Sequence, residues 1–149
     1  MKILSVVNQK GGVGKTTTSI NLSACLFKMK RRVLLVDLDP QSNATRGSGI
    51  DASTIQNSIN DVLLDRANIE KAIIKSQFDG YDILPATPSL TESEVALVAR
   101  EEREFILKNK LSSVLSRYDY ILMDCPPSLN ILTVNSLVSA TGVLIPVQC

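Results

Sequence analysis

Short apolar runs alternate along the chain with longer stretches in which apolar residues recur at helical spacing. The runs are rich in Val, Ile and Leu at nearly every position, which is typical of parallel strands that are buried on both faces. This pattern predicts five strands, over residues 2–8, 33–37, 81–84, 120–124 and 142–147. Proline follows several of these runs, as expected where a strand ends.

The stretches between the strands predict helices. Residues 16–29 suit a buried helix directly after the first strand, and further helices are predicted over residues 58–64, 68–75 and 132–139. After Thr91 the apolar stripe is broken, which indicates one long helix or two, and Thr91 with Glu94 fits a capping box. The order β-α-β-α-β-α-β-α-β predicts an α/β fold, a doubly wound and mostly parallel sheet with helices on both faces.

The organisation along the chain predicts a single domain over residues 1–149, because no repeat, low-complexity tract or flexible linker interrupts it. The chain ends directly after the fifth predicted strand, with no helix to cover that side of the sheet. We therefore expect these strands to be the N-terminal five strands of a larger sheet, in a domain that lacks its C-terminal part.

The composition argues against several classes of protein. The chain has no histidine, which removes the commonest general base and the commonest zinc ligand. A net charge of +1 argues against a strongly basic nucleic-acid module. The three cysteines lie far apart without C-x-x-C spacing, so they indicate neither a zinc site nor a disulfide framework. No apolar run approaches the roughly 18–20 residues of a membrane span, which favours a cytoplasmic protein.

A glycine-rich loop lies between the first predicted strand and the first predicted helix. Three glycines allow its N–H groups to turn inward around an anion, at the positive end of the helix dipole. In such a loop Lys15 reaches the β- and γ-phosphates of a nucleotide and the Thr16 hydroxyl ligates Mg²⁺. A flexible turn with a solvated lysine is the alternative. The predicted nucleotide-binding residues are Lys10, Gly11, Gly12, Val13, Gly14, Lys15, Thr16 and Thr17.

Three carboxylates lie at the ends of predicted strands. Asp37 and Asp39 end the second strand, two residues apart and so on one face of it, and Asp124 ends the strand over residues 120–124. Ligands of open α/β sheets bind at the carboxyl ends of the strands, which is also the edge that carries the glycine-rich loop. We therefore expect the three acids to converge there, where a Mg-nucleotide needs carboxylates. The alternative is that each acid is an ordinary strand-end or capping residue.

The sequence K-G-G-V-G-K-T resembles the deviant Walker A signature of the P-loop ATPases of the ParA/Soj, MinD and nitrogenase iron protein group. Gln9 stands where the common phosphate-loop pattern has its first glycine, and the additional Lys10 follows it. The segment D-C-P-P-S at residues 124–128 is similar to a motif of partition ATPases. The segment over residues 39–45 resembles ParA/Soj more closely than MinD. The chain thus resembles a ParA/Soj-type chromosome or plasmid partition ATPase over essentially all of its length.

The resemblance implies roles for individual residues. Lys10, Lys15 and Asp39 are the implied catalytic residues, with Lys10 reaching in trans to the phosphates of a second subunit and Asp39 positioning the attacking water. The implied magnesium residues are Thr16, Asp37 and Asp124, of which Asp124 acts through water and Asp37 lies beside the metal shell. For Lys10 alone, an ordinary surface charge is the alternative.

The resemblance also implies a function. ATP and Mg²⁺ are the expected ligands, and the choice of adenine over guanine rests on the resemblance alone. Binding of Mg-ATP is expected to drive homodimerisation and non-specific DNA binding through C-terminal residues outside this chain, and a ParB-type centromere-binding protein is expected to stimulate hydrolysis. The location implied is cytoplasmic and nucleoid-associated, away from the membrane. A MinD-like membrane or cargo-positioning ATPase and a binding-only fragment are the alternatives.

Overall fold

A six-stranded sheet organises the computed structural model, which describes residues 1–78 and 80–149. Its order is β3-β4-β2-β5-β1-β6, and within the described sheet every pairing is parallel except that of β3 with β4. The predicted α/β fold with a mostly parallel sheet is confirmed. The strands are β1 (Lys2–Val6), β2 (Val33–Asp37), β3 (Ile74–Lys75), β4 (Asp82–Leu84), β5 (Tyr120–Asp124) and β6 (Gly142–Leu144).

The short edge strand β3 differs from the prediction of a helix over residues 68–75. The helix there is only four residues long and ends at Ala72, after which Ile74 and Lys75 pair with Ile83 and Asp82 of β4. Consecutive β-branched residues favour extended backbone, and Ile73 already has it, with a ψ of 130°. The helical prediction was therefore wrong for residues 73–75.

Seven α-helices surround the sheet in the described residues, and none of them is long and apolar enough to span a membrane. The long stretch after Thr91 contains two of these helices, linked through short 3-10 turns, so the two-helix interpretation is the correct one. The helices are α1 (Lys15–Lys28), α2 (Asn43–Gly47), α3 (Ile59–Leu63), α4 (Ile69–Ala72), α5 (Thr91–Ala96), α6 (Ile106–Leu111) and α7 (Ile131–Ser139).

The capping box predicted at the start of α5 is absent, and that prediction was wrong. The Thr91 hydroxyl donates to the carbonyl of Pro88 at 3.1 Å, and the Glu94 carboxylate accepts a hydrogen bond from the Asn130 side chain at 3.2 Å. A capping box does form at the start of α3, between Ser58 and Asp61.

Helices cover both faces of the sheet, as a doubly wound fold requires. Successive side chains of a strand point to opposite faces, so each central strand contributes to two apolar cores. One core joins Leu34, Val36 and Ile121 to helices α3, α6 and α7, and the other joins Leu35 and Leu122 to α1 and α2. Full burial of each such side chain stabilises the fold by about 1.5–3 kcal/mol.

Strand register determines which residues meet at the carboxyl edge of the sheet. Asp124 of β5 lies opposite Asp37 of β2 on one side and opposite Val6 of β1 on the other. The chain that leaves β1 after Val6 therefore starts beside Asp124, and Asp37 lies one strand further away. This edge carries every charged group of the candidate site.

Candidate functional site

The glycine-rich loop connects β1 to α1 and ends at the helix N-terminus. Gly12 and Gly14 have φ values of 72° and 85°, in the left-handed region that favours glycine. Apart from its chain neighbours, a Cβ at either position would meet no heavy atom of the described residues within 4 Å, so the backbone conformation rather than packing requires glycine there. Gly14 is the N-cap of α1, and no side chain of the described structure caps that helix. Its first N–H groups and dipole are therefore available to an anion.

The two lysines of the loop differ in environment. Lys15 is buried, with 7% of its surface exposed, and its ammonium group donates to the Lys10 carbonyl across the loop at 2.9 Å. Lys10 has an exposed side chain, while its backbone N–H donates to the Asn8 side-chain oxygen at 2.9 Å. The Lys15 side chain thus lies inside the loop, and the Lys10 side chain is exposed to solvent.

The Asp124 carboxylate is fully buried and is held by two hydroxyl groups of α1. Oδ2 accepts a hydrogen bond from Thr16 at 2.8 Å, and Oδ1 accepts one from Ser19 at 2.9 Å. Burial raises the pKa of Asp124 to about 6, and the hydrogen bonds from Thr16 and Ser19 oppose that rise. Ser19 was not among the predicted site residues, although it lies three positions after Thr16 and hence on the same side of the helix.

Asp37 is fully buried, and both of its carboxylate oxygens bond to the chain that follows β2. Oδ2 accepts hydrogen bonds from the N–H and the hydroxyl of Thr45, at 2.9 Å and 2.7 Å, and Oδ1 accepts one from the Asp39 N–H at 3.1 Å. Burial raises the pKa of Asp37 to about 7, with a smaller contribution from the charge of Asp124. The predicted place of Asp37 beside a magnesium shell stays a prediction.

A cavity of about 260 Å³ lies between the glycine-rich loop and the segment after β2. Asp39 is part of its wall, with 8% of its surface exposed and Oδ1 bonded to the Gln41 N–H at 2.9 Å. This volume lies just below the range of about 300–1,000 Å³ typical of small-molecule sites, so it suits a phosphate chain better than a whole nucleotide. The cavity is lined by Gly11, Gly12, Gly14, Lys15, Thr16, Thr17, Asp39, Asn43, Cys125 and Pro127.

The structure brings most of the predicted site residues to one place. Asp124 contacts the cavity through Thr16, while Asp37, Lys10 and Val13 are not among the described residues of the cavity wall. The wall also includes residues that were not predicted, among them Asn43 and Cys125. Asn43 lies in the segment over residues 39–45. The resemblance of this segment to ParA/Soj is the sequence feature that could have marked Asn43 as a site residue.

Comparison with known sequences gives a family and named relatives. A family model described as AAA domain (AAA_31) matches residues 1–149. The sporulation initiation inhibitor protein Soj of Bacillus subtilis is 49% identical over 148 residues, 99% of this chain and 58% of that protein. The chromosome partitioning protein ParA of Myxococcus xanthus is 49% identical over 148 residues, 99% of this chain and 52% of that protein. The chain thus spans about half the length of the curated relatives it matches.

Comparison with solved structures confirms the fold. Cobyrinic acid a,c-diamide synthase from Mycobacterium smegmatis, with bound ADP and magnesium, matches with a TM-score of 0.97 and 42% identity, over 100% of this chain and 60% of that chain. The same protein has been solved with an ATP analog and magnesium, again with a TM-score of 0.97.

Proposed function

This chain belongs to the AAA domain family whose model matches residues 1–149, and we propose that it is the nucleotide-binding part of a ParA/Soj-type partition ATPase that hydrolyses Mg-ATP. The observation that carries the proposal is the placement of the Lys15 loop beside Asp124 at one edge of the sheet. The relatives named Soj and ParA support the partition role. Residues 1–149 and the remaining part of the protein together form a single nucleotide-binding domain.

The phosphates of ATP bind in the cavity between the glycine-rich loop and Asp39. The backbone N–H groups of residues 11–17 and the N-terminus of α1 attract the negative charge. Lys15 supplies the main positive charge, and its ammonium group donates to the neutral carbonyl of Lys10. A phosphate oxygen is a stronger, charge-assisted partner for that group.

The oxygen atoms at the sheet edge fit a magnesium ion, which takes oxygen ligands and keeps several waters. Thr16 donates its hydroxyl hydrogen to Asp124, so the lone pairs of that hydroxyl stay available to a cation. Each oxygen of Asp124 accepts one hydroxyl and keeps a lone pair for a metal-bound water. Asp37, beside Asp124 in register, adds negative charge to the edge when it is ionised, and burial shifts that ionisation to pH values above about 7 by raising its pKa. A magnesium ion held there would supply positive charge that neutralises the β- and γ-phosphates.

Asp39 positions the attacking water. Phosphoryl transfer depends mainly on positioning and on stabilisation of developing charge, so a carboxylate at the cavity wall contributes by orienting the nucleophile. Lys15 stabilises the charge of the transferring phosphoryl group within the subunit. Lys10, whose side chain is exposed, does so in trans in an ATP-dependent homodimer.

The complete protein acts as a switch that ATP sets and hydrolysis resets. The ATP-bound homodimer binds DNA without sequence preference through residues outside this chain, and a ParB-type centromere-binding partner stimulates hydrolysis. The protein is cytoplasmic and nucleoid-associated. Because such DNA binding rests on phosphate contacts, it weakens steeply as salt increases.

One observation favours a second function. The solved structure with a TM-score of 0.97 is named as an amide synthase that acts on cobyrinic acid, and it also binds ADP and magnesium. We place partition first because Soj and ParA share 49% identity with this chain against 42% for the synthase. A MinD-like positioning ATPase and a binding-only fragment are the remaining alternatives.

The test uses the whole protein that carries this chain. Multiple-turnover phosphate release with Mg-ATP and ATP-dependent amidation of cobyrinic acid are measured first. Co-sedimentation with duplex DNA and with anionic vesicles follows, each with ATP and with ADP. The proposal expects turnover and DNA binding that requires ATP. Vesicle binding without DNA binding favours the MinD-like alternative, amidation of cobyrinic acid favours the synthase, and nucleotide binding without turnover favours the binding-only alternative.

A further inference from the structure

One buried hydroxyl group links three separate parts of the chain next to the cavity. Thr45 of α2 is fully buried, and its hydroxyl donates to Asp37 of β2 at 2.7 Å. The same hydroxyl accepts a hydrogen bond from the N–H of Ala86, just beyond β4, at 2.9 Å. Asp37 in turn accepts the Asp39 N–H at 3.1 Å. A continuous chain of hydrogen bonds therefore runs from the end of β4 to the backbone of Asp39.

We propose that Thr45 is a positioning residue for ATP hydrolysis, which through Asp37 fixes the segment that carries Asp39. The inference rests on the proposed function, because it concerns the residue that orients water there. Thr45 itself is not part of the cavity wall in the described structure, so its effect reaches the nucleotide only through other residues.

The segment over residues 39–45 needs such a restraint. Helix α2 has only five residues, and a helix this short depends on tertiary contacts for its stability. Ser42, which precedes it, has a φ of 60°, an unfavourable backbone conformation for a residue with a side chain. The N–H and the hydroxyl of Thr45 both bond to one oxygen of Asp37, which fixes the start of α2 to the end of β2.

The link requires a hydroxyl rather than a side chain of a particular shape. The Thr45 hydroxyl uses its hydrogen for Asp37 and a lone pair for Ala86, so it both donates and accepts. Valine has nearly the same shape and can do neither, which leaves the Ala86 N–H without this partner. Serine keeps both hydrogen bonds and loses only a methyl group. The pair Thr45→Val and Thr45→Ser therefore separates the hydrogen bonds from the packing.

Thr141 provides a control far from the site. It is an exposed residue that precedes β6, and its hydroxyl donates to the carbonyl of Ile3 at 3.1 Å and accepts the N–H of Ile3 at 2.9 Å. Thr141→Val thus removes one donated and one accepted hydrogen bond elsewhere, with a neutral carbonyl as the acceptor in place of a carboxylate. Thr45→Ala removes the Thr45 hydroxyl without branched bulk and repeats the comparison if valine disturbs folding.

The test combines the kcat and KM of Mg-ATP hydrolysis with ADP affinity and amide hydrogen exchange. A misplacement of about 1 Å can cost about 100-fold in rate. We expect Thr45→Val to lower kcat by about 10- to 100-fold, with KM and ADP affinity within about twofold of the unchanged protein. Thr45→Ser and Thr141→Val retain kcat. Unchanged kcat in Thr45→Val, or an equal loss of kcat and ADP affinity, would overturn the inference.

Hydrogen exchange makes the test independent of turnover. In the nucleotide-free protein, Thr45→Val should speed exchange of the Ala86 amide at least tenfold and also speed that of Gln41 and Ser42, while Thr45→Ser does not. If the unchanged protein shows no hydrolysis, the proposed function fails and the role of Thr45 in hydrolysis fails with it, while the exchange result still decides whether Thr45 orders the Asp39 segment. Unchanged exchange of Gln41 and Ser42 in Thr45→Val means that Thr45 does not order the Asp39 segment.

Discussion

Replacing Ser19 with alanine removes one of the two hydroxyl groups that hold the Asp124 carboxylate. Ser19 is fully buried, and its Oγ lies 2.9 Å from Asp124 Oδ1 and 2.9 Å from the Lys15 carbonyl oxygen. The single hydroxyl hydrogen serves one of these acceptors at a time. Because an ionised carboxylate is the stronger acceptor, we expect the hydrogen to bond to Asp124 above the pKa of that group.

Ser23 provides a matched control on the same helix. It is also fully buried in α1, and its hydroxyl donates to the carbonyl of Ser19 at 2.8 Å, a neutral acceptor four residues back. Ser23→Ala therefore changes helix propensity and packing as Ser19→Ala does, but it removes no hydrogen bond to a charge. Hydrogen bonds to charged groups contribute about 1.5–3 kcal/mol, and neutral ones about 0.5–1.5 kcal/mol.

The expected result depends on pH. At pH 8, above the pKa of about 6 for Asp124, Ser19→Ala should lower the free energy of unfolding by about 1–2 kcal/mol more than Ser23→Ala does. At pH 5 the buried carboxyl is protonated, so the two variants should lose similar amounts. Urea unfolding followed by circular dichroism, without magnesium, measures the difference. Equal losses in the free energy of unfolding for the two variants at pH 8 would show that the Ser19 hydroxyl donates to the Lys15 carbonyl and not to Asp124.

Three further predictions concern the charged residues of the site. Lys10→Ala should keep ADP binding and stay monomeric with ATP, and ATP-dependent dimerisation at unchanged affinity, measured by ultracentrifugation, would remove its role in trans. Asp39→Ala should bind Mg-ATP normally and slow phosphate release at least tenfold, and equal turnover would contradict its role with water. Burial raises the pKa of Asp37 from 3.8 to about 7, so the folded chain retains a proton that the unfolded chain releases between those values. The free energy of unfolding should therefore fall by up to about 1.4 kcal/mol per pH unit from this group as pH rises from 5 to 7 and then level off, and urea unfolding in which stability rises through that window would contradict this. Asp124, with a pKa raised to about 6, acts in the same direction over the lower part of that window, whereas Asp119, with a pKa lowered to about 2, does not titrate there.

The central strands show what periodicity can predict. The bounds of β2 and β5 agree with the predicted strands over residues 33–37 and 120–124, because each strand is apolar up to a final aspartate and a proline follows shortly afterwards. Strand β3 and helix α2 were not predicted. Strand β3 has only two residues, and its extended form is stabilised by pairing with β4. Helix α2 lies in a polar segment without an apolar stripe, and the hydrogen bond from the Thr45 N–H to Asp37 stabilises it.

The different positions of Asp37 and Asp39 were not predicted from the sequence. The alternation of side chains places residues two apart on one face only while the strand continues. Strand β2 ends at Asp37, so Asp39 lies outside it and reaches the cavity wall, while Asp37 stays buried and bonds to Thr45. The phosphate loop was predictable because its short motif specifies its own local backbone. The link through Thr45 and Ala86 joins residues 41 positions apart, a contact that the sequence pattern does not predict.

Titration calorimetry of the 149-residue chain with Mg-ATP shows whether this chain carries the nucleotide-binding site. Mg-ADP and Mg-GTP are titrated in the same way, and a circular dichroism spectrum shows whether the chain is folded. Lys15→Ala is the test variant, and Lys30→Ala, an exposed lysine between α1 and β2, is the control. We expect magnesium-dependent nucleotide binding that prefers ATP to GTP, persists in Lys30→Ala and disappears in Lys15→Ala. A folded chain that binds no nucleotide, or binding that is unchanged in Lys15→Ala, would contradict it.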